Sequence, residues 1–391
     1  MIRYVTSGES HGRCLTTILE GIPYGLELDE DFINCELARR QKGFGRGERM
    51  QSIESDKVSI TSGVRHGKTL GSPIALTISN KDWENWKTIM ATEPSGIDSA
   101  NSADEKLTRP RPGHADLPGI LKFNTDDTRD ILERSSARET ASRVAVGAIC
   151  KKFLKEFGIR IISFTEEIAG ICVPLTKVKF NDIAELVEKS EVRCFDDNLS
   201  QQMMKAIEKA KENGDTVGGV FAVIVEGVPV GLGSYTQWDL KLDGRLAYAV
   251  MSIQAIKGVE IGRGFEISKK LGSEIHDEIF YNKTVGYWRK SNNAGGIEGG
   301  ISNGEQIVVR AAMKPIPSLK KPLQSVDIKT KQCLEAQIVR SDVCAVPAAG
   351  VIGEAVVSIE IAKAFCEKFG GDSMIEIKAN YSNYIDMLKN R

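Results

Sequence analysis

Apolar side chains fall into two patterns along the chain. Short apolar runs at 14–20, 57–62, 73–79, 219–226 and 305–312 are bounded by glycine, proline or charged turns and read as strands. Helical spacing covers 136–157, with apolar positions at Val144, Ile149, Phe153 and Leu154 and a stop at Gly158. It returns at 200–213 and 243–257, each ending at a glycine, and at 351–369, which stops at Gly370-Gly371. Helices this apolar are predicted to be sandwiched rather than exposed. Turns such as "EGIPYG" predict antiparallel pairing, and the strands do not alternate steadily with helices as in a Rossmann fold. The fold class read from the pattern is α+β.

The pattern also repeats. "CLTTILEGIPYGL" (14–26) is echoed by "VFAVIVEGVPVGL" (220–232), with Ile, Glu, Gly, Pro, Gly and Leu in register. "GRG" recurs at 45–47 and 262–264, "RSS" (134–136) is answered by "RSD" (340–342), and "CKKFLKEFG" (150–158) by "KAFCEKFG" (363–370). Echoes in constant order predict a duplicated unit, roughly 1–160 and 205–375, within one domain spanning 1–391, with 161–204 as a connector.

Charge narrows the function classes. The net charge is -1, so nothing draws the whole chain to nucleic acid or to membranes. No apolar run reaches the roughly 18 residues of a membrane span, and "MIRYVTSGES" does not read as a signal peptide. The eight cysteines are scattered without a CxxC pair, which predicts reduced thiols in a cytoplasm, with Cys150 and Cys366 in the core. The four histidines, His11, His66, His114 and His276, include no HExxH, so no metal site is expected. "GVRHGKT" is one residue short of a P-loop, no GxGxxG opens a helix after a strand, and His66 and His276 are expected at the surface.

Five stretches could carry chemistry. In "LERSSARETASR", Ser136 followed by Glu139 reads as a capping box, so a helix should start there. Arg134 and Arg138 at that end oppose the helix dipole; the segment is either an anion site or a solvated cap. "ARRQKGFGRGERMQS" (38–52) spaces Arg39, Arg40, Arg46 and Arg49 among glycines, as a mobile basic lid or a plain surface loop. "TSGESHGRC" sets Ser10 and His11 between Gly8 and Gly12, either for acid–base work or in a solvated tight turn. "NNAGGIEGGISNGEQIVVR" (292–310), before "KPIPS" (314–318), leaves amides to face a cofactor or forms a flexible hairpin. "RPGHADLPG" (111–119) adds His114, stiffened by prolines that exclude an ordinary helix or central strand. Together they suggest an enzyme acting on a phosphorylated, carboxylated small molecule.

The segments "GESHG", "RRQ..FGRG.RM", "PRPGHAD", "RSSARETA", "NAGGIEGGI.NG" and "RSDVCAVPAAG" resemble, in order, the signature segments of chorismate synthases. That resemblance implies helices packed between two antiparallel sheets, a duplicated β-α-β sandwich. It also implies a cytoplasmic homotetramer that eliminates phosphate from 5-enolpyruvylshikimate 3-phosphate with reduced FMN. It implies catalytic roles for His11, His114 and Asp342, and substrate contacts from Ser10, Arg40, Arg46, Arg49, Arg111, Arg138 and Arg340. For FMN it implies Arg134, Ser135, Ser136, Gln254, Ala255, Gly299, Lys314, Pro315, Ile316, Pro317, Ser318 and Arg340. Arg40 and Arg46 would serve NADPH, where this chain or a separate flavin reductase reduces the flavin. Arg13 and Gln254 stand where many relatives have proline and asparagine. The rival expectations are an FMN-dependent oxidoreductase acting on a phosphorylated substrate and a non-catalytic phosphometabolite-binding protein.

Overall fold

A computed structural model describes residues 1–47, 55–93, 106–174 and 180–391. Arg49, with residues 48–52 of the expected basic lid, lies outside the described residues. The chain begins with β1 (Arg3–Ser7), β2 (Cys14–Glu20), α1 (Glu30–Gln41), β3 (Val58–Ser62) and β4 (Ile74–Ser79). Then come α2 (Asp116–Phe123), α3 (Arg129–Ser135) and α4 (Thr140–Lys155). The later part holds β5 (Arg160–Ile168), α5 (Asp197–Glu212), β6 (Gly219–Glu226), α6 (Leu242–Met251), β7 (Ile256–Ile261), β8 (Ile307–Met313), α7 (Val346–Phe369) and α8 (Met374–Lys389).

Two antiparallel sheets result. One runs β1-β2-β4-β3 and the other β7-β8-β6-β5, the latter extended by the short strand Ile171–Cys172. α1 and α4 pack on the first sheet, α6 and α7 on the second, and the helices meet between them. This is the expected α+β sandwich. Each face that a sheet turns inward is apolar, as with Leu15, Leu19, Ile74, Leu76 and Ile78 in the first sheet and Phe221, Val223, Val225, Ile307 and Val309 in the second. α7 is buried along almost its whole length because it has a sheet on one side and helices on the other. It crosses α4 where Gly147 leaves no room: a Cβ there would lie 2.4 Å from that of Ala355.

Four boundaries differ from expectation. Residues 161–204 are not a plain connector, because β5 is a strand of the second sheet and α5 follows it. The helix expected over 243–257 stops at Met251, because Ala255 adopts a left-handed φ of 67° and the chain turns into β7. Ser136 does cap a helical start, its hydroxyl accepting the Arg138 amide at 3.3 Å, but Ala137–Glu139 is a turn of 3-10 helix and α4 proper starts at Thr140. The proline-rich segment does enter a helix, with Pro118 in the first turn of α2, where a missing N–H costs nothing. Cys150 is buried and Cys366 packs half-buried against the core, as expected. His66 and His276 are exposed. Among the described residues, no helix is long and apolar enough to cross a membrane.

Candidate active site

α1 starts with Asp29 capping the Phe32 amide and ends with Arg39 and Arg40, acids first and bases last, as its dipole favours. Both arginines therefore sit on a helix, not in a mobile loop. Arg39 turns into a buried ion network on α7. Arg40 turns the other way: its Nε donates to Thr140 Oγ1 at 2.9 Å, and its Nη1 lies 3.3 Å from Asp56. Arg138 reaches the same carboxylate at 2.6 Å and donates through Nε to Asn80 Oδ1 at 2.9 Å. Two buried guanidiniums thus share Asp56, and the expected conflict of Arg138 with a helix dipole is relieved by the chain's own carboxylate. The capping box is absent as well. Ser136 donates its amide to Leu132, and Glu139 bonds the Arg143 guanidinium at 2.9 Å and the Thr6 hydroxyl at 3.1 Å.

Asn80 joins this group to the turn after β1, because its Nδ2 donates to Gly12 O at 2.5 Å. In that turn the Ser10 amide donates to Glu133 O, and Ser136 Oγ donates to Ser10 Oγ at 3.2 Å. His11 is gripped by Glu133 at the end of α3: its backbone N–H and its Nδ1–H donate to the two carboxylate oxygens, each at 2.8 Å. Its ring stacks on Trp86, centroids 3.8 Å apart. Arg134 spans the same turn with bonds of 2.9 Å to Gly8 O and Thr6 O. Ser135 closes α3 beside it, its hydroxyl 3.5 Å from Leu132 O.

The second histidine is built differently. Asp116, at the first position of α2, accepts His114 Nδ1–H at 2.5 Å, Arg111 Nε–H at 2.8 Å and the Arg111 amide at 3.0 Å. Burial alone would raise the pKa of Asp116, but the bonds from His114 and Arg111 outweigh it and hold the carboxyl far below its ordinary range. Arg111 also donates to Ser318 Oγ at 2.8 Å, and Ser318 O accepts from Ser341 Oγ at 2.6 Å. Next to Ser341, Asp342 binds Arg46 Nη1 at 2.6 Å and the Gly47 amide at 2.7 Å. Lys314 Nζ donates to Gly113 O and its amide to Ala255 O, so Pro315, Ile316 and Pro317 run between two fixed ends. Gln254 borders a cavity of about 350 Å³ with Tyr4, Thr6, Arg134, Glu139 and Arg143.

The structure thus gathers Ser10, His11, Arg40, Arg134, Ser135, Ser136 and Arg138 into one group, and Arg46, Arg111, His114, Ala255, Lys314, Ser318 and Asp342 into a neighbouring one. One expected residue stands apart. Gly299 lies beside the start of α6, whose Leu242 amide donates to Gly300 O, while Gln254 follows the other end of that helix, about 15 Å on. Arg340 is exposed, with no bonded partner among the described residues. The glycine-rich segment does not leave all its amides open. Asp277 accepts those of Asn293 and Ala294 at 2.8 and 2.9 Å, and Asn292 Oδ1 accepts that of Gly296 at 2.8 Å. Sequence reasoning assigned no role to Glu133, Asp56, Asn80, Trp86 or Asp116. Glu133 and Asp116 did carry a signal, as acids beside a singled-out arginine or histidine motif.

Buried arginines matched by carboxylates, beside two histidines held through Nδ1, form a constellation of the kind that marks an enzyme's active site. Comparison with known proteins gives the family. The chorismate synthase family model matches residues 2–366. The chain is 57% identical over 383 residues to the chorismate synthase of Syntrophotalea carbinolica, covering 98% of this chain and 97% of that one. It is 55% identical over 398 residues to that of Geobacter sulfurreducens, with both chains fully covered. A chorismate synthase crystal structure superposes with a TM-score of 0.79 at 45% identity, covering 100% of this chain and 99% of the other. The chain belongs to the chorismate synthase family and is an enzyme of the lyase class.

Proposed function

We propose that the chain eliminates phosphate and a proton from 5-enolpyruvylshikimate 3-phosphate in the anti-1,4 sense, giving chorismate, with reduced FMN used catalytically. The observation that carries this reading is His11, fixed by Glu133 and bonded through its neighbour Ser10 to Ser136, within one group that also holds Arg40 and Arg138. A polyanionic substrate needs such cations, and a departing phosphate needs such an acid.

The residues fit a flavin. Gln254 Oε1 is buried without a hydrogen-bond partner among the described residues, at a cavity edge that Arg134 and Arg143 make cationic. An N–H or O–H of a ligand in the cavity would satisfy this acceptor. Arg134, Ser135, Ser136, Gln254, Ala255 and the run Lys314–Ser318 would hold FMN. When bound, reduced FMN supplies electron density to the substrate as phosphate departs and regains it as hydrogen is removed, chemistry that no side chain offers.

The chain's residues do the rest. His11 donates its Nε2 proton to the departing phosphate while Nδ1–H stays on Glu133. The broken C–O bond leaves its electron pair on the phosphate oxygen. Arg40, Arg46, Arg111 and Arg138 hold phosphate and carboxylates, each balanced beforehand by Asp56, Asp342 or Asp116. His114 is a fixed donor for negative charge on the cofactor, and Asp342 handles the proton released there. Arg49, Arg340 and Gly299 complete our assignment, and Arg40 and Arg46 would meet NADPH where the chain reduces its own flavin.

We also read the chain as an internal duplication within a cytoplasmic homotetramer. In support of the duplication, the strand order β1-β2-β4-β3 is matched in chain order by β5-β6-β8-β7. The repeat then begins with β5, earlier than the sequence echoes alone place it. The test of the proposed reaction is product identity. Anaerobic incubation with substrate and reduced FMN should give chorismate and inorganic phosphate in equal amounts; a reduced product would assign the chain to the oxidoreductase reading instead.

A further inference from the structure

Two histidines face the proposed chemistry, and both give Nδ1 to a buried carboxylate, but the carboxylates differ. Asp116 is shared with Arg111 at 2.8 Å, so the charge opposite His114 is already spent on a guanidinium. Glu133 has no cation that close among the described residues: the ion pair it makes with Arg129 spans 3.9 Å. Its side chain is only 3% exposed, yet both its oxygens are directed at one residue, the backbone N–H and the Nδ1–H of His11. An ionised carboxylate only accepts, so the proton between the two groups belongs to Nδ1. Proton exchange with a ligand then has to run through Nε2.

The ring's plane is fixed as well. Trp86 lies against the imidazole at 27°, and its indole N–H donates to Asp82 Oδ2 at 2.9 Å, so the stacking partner is itself anchored. Arg129 lies over the other ring system of this stack, 5.3 Å from the Trp86 centroid. The backbone is held by the same residue as the side chain: Glu133 O accepts the Ser10 amide at 2.9 Å. One glutamate therefore sets the position, the orientation and the tautomer of His11. For a histidine that merely fills a surface turn, such restraint has no use.

We propose that Glu133 is a positioning residue for the elimination. It holds the Nδ1–H of His11 throughout, so that the imidazolium gives its Nε2 proton to the departing phosphate and is left as the neutral Nδ1–H tautomer, while Trp86 fixes the ring plane. The proposal rests on the reading of His11 as the general acid. The loss of carboxylates that orient a working histidine typically slows an enzyme 10- to 100-fold or more.

The test combines imidazole ¹⁵N spectroscopy with steady-state kinetics on the full-length enzyme. The chain has four histidines, so their signals are assignable by single substitutions. Above neutral pH, wild-type His11 should show the Nδ1–H tautomer. Glu133→Ala should move it to the Nε2–H form that imidazole prefers in water and lower kcat about 10- to 100-fold, with KM within a few-fold of wild type. Glu133→Gln has nearly the same shape but one acceptor oxygen; with that oxygen on the His11 backbone N–H its NH2 donates to Nδ1, so it should hold the Nε2–H tautomer and lose rate as Glu133→Ala does. An unchanged tautomer or an unchanged kcat in Glu133→Ala would overturn the proposal, as would a Glu133→Gln variant that shows the Nε2–H tautomer at wild-type kcat. Full activity in His11→Ala would instead overturn the general-acid reading itself, whatever the tautomer data show.

Discussion

Glu354 offers the sharpest test of how the helices between the sheets are held. It sits on α7 with its side chain fully buried, and it meets three cations from three other elements. Arg39 of α1 binds its two oxygens at 2.8 and 2.9 Å, Arg193 binds at 3.1 Å, and Lys151 of α4 is in direct contact. Ser163 of β5 adds its amide and hydroxyl, each at 2.7 Å. Glu36 and Glu188 bind the same cations from the outside, so three positive charges face three negative ones. Glu354→Gln keeps the shape and removes one charge, which leaves an excess cation in the interior. Breaking a buried pair from one side costs about 3–5 kcal/mol. The surviving Glu36 and Glu188 place this case at the lower end, about 3 kcal/mol, or roughly 4 °C in Tm for a chain of this size. The assay is thermal unfolding of wild type and variant at one protein concentration without ligand. Burial would raise the Glu354 pKa, but Arg39, Lys151 and Arg193 outweigh it and hold the group well below its ordinary value. A depressed pKa contributes stability above the unfolded value, lost as pH falls through the folded one. The gap between the two proteins should therefore be constant near neutrality and close in acid. A variant within about 1 kcal/mol of wild type at neutral pH would refute the reasoning, because that is the range of an exposed pair.

Other expectations are independent of that network. Gly147→Ala should destabilise by at least about 1–3 kcal/mol in the same unfolding assay, because the added Cβ would meet the Ala355 Cβ at 2.4 Å and its Cα at 2.5 Å, both on the facing helix. His114→Ala should retain FMN, measured by flavin titration, while turnover falls by roughly two to three orders of magnitude; wild-type turnover would remove it from the chemistry. Arg138→Ala should raise KM more than it lowers kcat, with Arg40 still held by Asp56; unchanged kinetic constants would exclude it from the site.

The fold was largely readable because its signal is local. β2 and β6 fall where their apolar runs do, and the long apolar segment after Pro347 is the buried helix α7. Failures came where distant partners decide. Nothing near Arg39 shows that it ignores the loop it borders and turns to Glu354, 315 residues away. Ser136 and Glu139 have the spacing of a capping box, but Arg143 and Thr6 claim the glutamate. Ala255 ends a helical pattern early with a left-handed turn, a conformation that sequence reasoning reserves for glycine. The arginines, serines and histidines of the candidate site stand out in the sequence because they sit in glycine- and proline-bounded motifs. Of the carboxylates that hold them, Asp116 stands inside the His114 motif and Asp342 was singled out, but the partners of Asp56 and Glu133 were not readable, because tertiary contact sets them: Asp56 lies 82 residues from Arg138 and Glu133 lies 122 from His11.

The proposed elimination is tested most directly by counting phosphate released per flavin. Enzyme, 5-enolpyruvylshikimate 3-phosphate and a substoichiometric amount of dithionite-reduced FMN are mixed without oxygen. Many phosphates per flavin, each with one chorismate, are predicted. A single phosphate per reduced flavin, or none, would contradict a redox-neutral elimination in this site.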